Sequence, residues 1–179
     1  MKILGIILIV LLAMFAGITA CSAIFIAILN SHNPMLTHDS AETFLQDNKE
    51  QLFIVRDFLE SGEFKVSIRR TDVDNEEMFA GLIDGERIFI PIEDEIVLET
   101  IRQLFQNGCH AIGSRENKIF FSLWSTRNHG RGIVYSIDGR TPDESDFSFL
   151  TRIEPLSEEG WFFYVEDYNV WRRRNNTSH

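Results

Sequence analysis

The sequence predicts an α+β protein: an N-terminal transmembrane helix, then one small domain with two helices and a mostly antiparallel sheet of about eight strands. Three observations predict it. From Ile3 to Leu29 every position is apolar or small, with no charge and no proline. Two later stretches repeat apolar residues at four-three spacing, the mark of an amphipathic helix. The rest is a series of short, apolar-rich runs separated by glycine-containing turns, which favours antiparallel hairpins. The implied organisation is a signal-anchor helix over 1–29, a linker over 30–38, a soluble domain over 39–171 and a basic tail over 172–179.

The N-terminal run exceeds the roughly 20 residues that span about 30 Å of hydrocarbon, so it crosses with some tilt. Lys2 and the α-amino group precede it, and the next cation is Lys49. The positive-inside rule then places the N-terminus in the cytoplasm and the domain on the extracytoplasmic side. Ala13, Ala16, Ala20, Ala23 and Ala27 follow a three-four spacing, with Gly17 beside them. Small residues along one face let membrane helices approach closely. The seam therefore predicts self-association or docking on another span, and a structural subunit of a membrane complex is one alternative role.

Ile18-Thr19-Ala20-Cys21 resembles a bacterial lipobox, and the resemblance implies acylation of Cys21. Residues 22–29 nevertheless stay apolar, and the apolar core of a cleaved signal usually covers only about 7–15 residues. The uncleaved anchor is the favoured reading, with the acylated lipoprotein as an alternative.

The chain carries a net charge of −10, and Lys2 is the one charged residue before Asp39, so the residues from Asp39 onward, tail included, carry −11. That excludes a nucleic-acid partner, whose phosphates require clustered cations. Two cysteines, one of them in the span, exclude a disulfide framework and a cysteine-rich metal site. Cys109 is expected to be a buried apolar filler.

Along the domain, Asp39-Ser-Ala-Glu42 reads as a capping box. Ala41, Leu45, Asn48, Leu52, Val55 and Leu59 then form one stripe, so the first helix is expected from about Ser40 to Glu60, ended by Gly62. Phe64, Val66 and Ile68 alternate as a half-buried strand, and Thr71 to Glu77 reads as an acidic turn. Met78–Ile83 and Arg87–Ile92 flank Asp84-Gly85, a two-residue hairpin signal. Asp94 opens the second helix, whose stripe is Val97, Ile101 and Leu104 and whose stop is Gly108. Beyond it, strands are expected at His110–Gly113, Lys118–Trp124, Gly132–Ile137, Phe149–Leu156 and Trp161–Glu166, with Pro155 at an edge or strand end.

No catalytic constellation, metal site or cofactor site is expected. Cys109 and His110 are neighbours in an extended segment, so their side chains point to opposite faces. Asp72-Val-Asp74-Asn75 lacks the glycine and the glutamate of a calcium loop. The candidate ligand-binding stretch is Asn128-His129-Gly130-Arg131-Gly132, read as a loop whose glycines free the backbone, with Arg127, His129 and Arg131 as its polar groups. Aromatic residues crowd two strands, and consecutive ones cannot all face one core. Either a second layer covers the sheet, or Trp124, Trp161 and Phe163 form an interaction surface. The predicted function is a single-pass, membrane-anchored binding or interaction module for a protein or small ligand, rather than an enzyme. A tethered enzyme acting on an anionic small substrate through the 128–132 stretch is the alternative.

Overall fold

Thr37 opens the first described helix. Its hydroxyl accepts from the Ser40 amide at 3.2 Å, while the Ser40 hydroxyl accepts from the Thr37 amide at 2.8 Å. This reciprocal cap replaces the one expected from Asp39 and Glu42, because Glu42 is engaged elsewhere: its carboxylate accepts from the amide and hydroxyl of Ser157. The computed structural model describes residues 36–62, 65–83, 86–143, 146–147 and 149–176. The apolar run, its alanine seam, Cys21 and most of the predicted linker lie outside the described residues. Among the described residues, no helix is long and apolar enough to cross a membrane.

The architecture is α+β, with five helices and an eight-stranded antiparallel sheet among the described residues. The elements are α1 (His38–Asp47), α2 (Lys49–Ser61), β1 (Ser67–Arg69), α3 (Arg70–Asp74), β2 (Glu77–Ile83), β3 (Glu86–Pro91), α4 (Glu95–Gln106), β4 (Ala111–Arg115), β5 (Lys118–Thr126), β6 (His129–Ser136), β7 (Leu150–Pro155), β8 (Trp161–Asp167) and α5 (Tyr168–Asn176). The sheet order is β3-β2-β1-β4-β5-β6-β8-β7.

Three helices exceed the expected two. The single helix expected over 40–60 is broken at Asn48, whose buried amide donates to the Phe44 carbonyl at 2.9 Å and accepts from the Asn107 amide at 2.7 Å. The expected acidic turn at 71–77 contains α3, capped by Asp72, which accepts from the Arg69 amide at 2.8 Å. The expected tail begins inside α5, and the linker ends inside α1.

The two faces of the sheet are covered differently. The stripes of α1, α2 and α4 bury Leu45, Leu52, Val55, Ile101 and Leu104 against Ile112, Phe121, Ile133, Trp161 and Phe163. On the other face, Phe120, Val134, Phe162 and Tyr164 pack beneath Phe147 and Leu150. Phe147 is brought there by the segment after β6. Arg140 grips Asp146 through both carboxylate oxygens, at 2.8 and 3.1 Å, and Asp143 at 2.6 Å. Nearby, buried Lys118 donates to Asp138 at 2.7 Å. This bond and one from the Ser136 hydroxyl hold the Asp138 carboxyl well below the usual range.

The run Trp161-Phe-Phe-Tyr164 is thereby explained. Trp161 and Phe163, each 1 % exposed, face the helices, and Phe162 and Tyr164 face the second cluster. Trp161 stacks on Phe53 of α2. These two residues are core rather than exposed surface, because both faces of β8 carry a layer.

Candidate functional site

The candidate site grows from one end of three adjacent strands. Thr126 and His129 close a two-residue turn made of Arg127 and Asn128. The expected loop at 128–132 is therefore largely strand, since β6 starts at His129. At the matching end of β8, Asp167 caps α5 by accepting from the amides of Asn169 and Val170 at 2.9 and 3.0 Å. The Tyr168 amide donates to the Asn128 carbonyl at 2.9 Å, which fixes the start of α5 against the turn.

On the helix-covered face, three of the expected residues do come together. The Arg131 guanidinium lies 5.6 Å from the Trp124 ring, and the Trp124 and His129 rings are 6.3 Å apart. Arg131 also donates to the Leu36 carbonyl at 2.7 Å, tying down the entering chain. His129 is held between Asp167, at 3.4 Å, and the Thr126 hydroxyl, at 3.2 Å. Trp161 and Phe163 are removed from this group by burial. Arg127 stands exposed on the turn.

The opposite face holds a cleft of about 410 Å³. Ser122 and Ser125 line it from β5, Gly130 from β6 and Glu166 from β8, with Phe149 and Tyr168 as its aromatic wall. Arg127, Asn128 and His129 contribute from the turn and its flank. Glu166 also borders a smaller hollow of about 180 Å³, beside Arg115, Phe120, Asp146, Phe147 and Tyr164.

The two glycines of β6 explain how the floor is built. In the antiparallel register Gly130 faces Glu166, and Gly132 faces Tyr164. A Cβ on Gly130 would stand 2.8 Å from a Glu166 carboxylate oxygen. A Cβ on Gly132 would stand 3.0 Å from the Tyr164 hydroxyl and 2.1 Å from the Phe121 carbonyl oxygen. The missing side chains thus make room for two long cross-strand partners to lie across β6. Close approach, rather than backbone freedom, is what these positions require.

Among the described residues, no cation lies within ion-pair distance of Glu166 and no hydrogen bond reaches its carboxylate. Burial raises its carboxyl above the ordinary value. Burial also raises the Tyr164 phenol, with the Glu166 charge adding to the shift and the Ser122 hydroxyl opposing it. Glu166 is half-buried, so its ionised carboxylate is partly desolvated and gains from either a proton or a cation.

Neither Glu166 nor the aromatic pair was singled out from sequence. The signal was present in Trp161-Phe-Phe-Tyr-Val-Glu166, where alternation puts Glu166 in register with Phe162 and Tyr164. An acid in a buried register is the informative exception.

Cys109 is buried, with its thiol pushed up to about 12 by burial, so it is held protonated. Among the described residues, no group of His, Cys, Asp or Glu is arranged to hold a metal ion. No family model, curated protein or solved structure matches this chain.

Proposed function

We propose that this chain is a membrane-tethered binding module whose α+β domain takes a small organic ligand in the cleft beside Glu166. The cleft itself carries the reading. Its volume of about 410 Å³ falls in the range of small-molecule pockets, roughly 300–1,000 Å³. It combines an aromatic wall with a few placed polar groups, which suits orientation of a ligand rather than general adhesion. The tether rests on the charge-free run Ile3–Leu29, and the extracytoplasmic placement rests on Lys2. The alanine seam supports pairing of two spans.

Two experiments test the proposal. The full chain in detergent is screened by ligand-observed NMR against small amines, acids and alcohols. Hits should compete with one another and disappear in Ser125→Trp, which fills the cleft. Hits that survive Ser125→Trp would place binding elsewhere and reject the site. For the tether, protease added to intact cells should remove a C-terminal tag. A protected tag in carbonate-resistant membranes would reverse the orientation, and a tag in the soluble fraction would remove the tether.

A further inference from the structure

We infer that the cleft selects a small organic cation, an ammonium or amidinium on a compact apolar body, with Glu166 as its counter-ion. This rests on the cleft reading above and names the class of ligand.

Four observations converge. Glu166 is the carboxylate lining the cleft, and among the described residues it has neither an ion pair nor a hydrogen bond. It borders both hollows, so an entering group meets it from either side. Gly130 leaves its carboxylate lying across the strand, 2.8 Å from where a Cβ would be, which keeps that position open for it. Beside it stand Phe149 and Tyr168, rings 5.1 Å apart, and Trp171 packs on both. A carboxylate and aromatic rings lining one cleft suit a cation, by charge and by ring quadrupole together. The acidic domain adds a field that draws cations toward it.

The other charged and titratable groups around the two hollows are placed differently. Arg127 and His129 line the cleft at the turn, and Arg115 and Asp146 border the smaller hollow. Among the described residues, no cation of this set lies within ion-pair distance of Glu166. A bound ammonium would supply the missing partner and stabilise the ionised carboxylate, so binding should expel the proton that burial otherwise favours. Affinity should therefore rise with pH through the Glu166 titration and level off above it.

The test uses three probes of nearly one shape: benzylammonium, benzyl alcohol and benzoate. Each is titrated into the full chain in zwitterionic detergent. The backbone amides of Ser125 and Gly130 and the side-chain carboxyl ¹³C signal of Glu166 are followed. Benzylammonium should shift all three signals saturably. Glu166→Gln should weaken it about ten- to hundredfold, the size expected for a lost charged hydrogen bond. The pH dependence should vanish in Glu166→Gln. If benzyl alcohol or benzoate binds the cleft as well as the amine, the cation inference falls while the binding cleft stands. Unchanged amine affinity in Glu166→Gln with a native spectrum also overturns it. If none of the probes shifts the cleft amides, the cleft reading falls with it.

Discussion

Gly130 and Gly132 stand two positions apart on the same strand face, yet they should respond differently to alanine. At Gly132 the added Cβ meets the Phe121 backbone carbonyl at 2.1 Å, and backbone cannot step aside cheaply. Gly132→Ala should lose about 1–3 kcal/mol, the range for overpacking, measured by chemical denaturation. At Gly130 the neighbour is the end of a flexible glutamate. Gly130→Ala should keep most of the stability while displacing Glu166, so any probe held by that carboxylate should weaken. The Glu166 carboxyl has a further consequence. Its value is raised in the folded state, so its favourable contribution is complete below the unfolded value and is lost as pH rises through the folded one. Glu166→Gln should therefore melt higher than the wild type near neutral pH. The gap should close as the pH falls toward the ordinary glutamate value. A gap that widens on acidification would mean the carboxylate has a stabilising partner in solution.

At the scale of elements, the break at Asn48 is the informative case. Six apolar or amide positions follow one helical stripe through it, and the stripe is indeed buried. What interrupts the helix is an amide pair with Asn107, 59 residues away in sequence. Local periodicity carries no trace of a partner that distant. Asn48→Ala removes both amide bonds and should lose about 1–2 kcal/mol by denaturation. If stability is unchanged, the break is set by packing of α1 and α2 alone. The hairpins were legible for the opposite reason, since their turn residues lie within the segment that reports them. Asp84-Gly85 predicted the pairing of Ile83 with Glu86. Helix α3 was hidden because five residues are too few to show a period. The β6 glycines were misread because sequence shows a missing side chain without showing what occupies the space. The aromatic run on β8 allowed two outcomes, and choosing between them required knowing that the segment carrying Phe147 folds back over the second face.

At the scale of the molecule, chain order and sheet order disagree in two places, β4 beside β1 and β8 beside β6, and the second bears on how the domain comes into being. Strand β8 sits between β6 and β7, so the edge of β6 is completed by a segment synthesised some 25 residues later. Until residues 161–167 emerge, β6 presents Ile133, Val134 and Tyr135 beside an open hydrogen-bonding edge, a template for pairing with other chains. A chain stopped after Gly160 also lacks Trp161 and Phe163, the largest side chains that β8 adds to the helix-covered core. Such a chain should aggregate and show no cooperative melting, measured by sedimentation and circular dichroism. If it melts cooperatively as a monomer, the first seven strands fold independently. The place of β8 thus makes closure of the sheet late in the order in which the strands are made. The β6 edge needs shielding over the stretch made between β6 and β8, and the Glu166 cleft comes into existence only with the strand that closes the core.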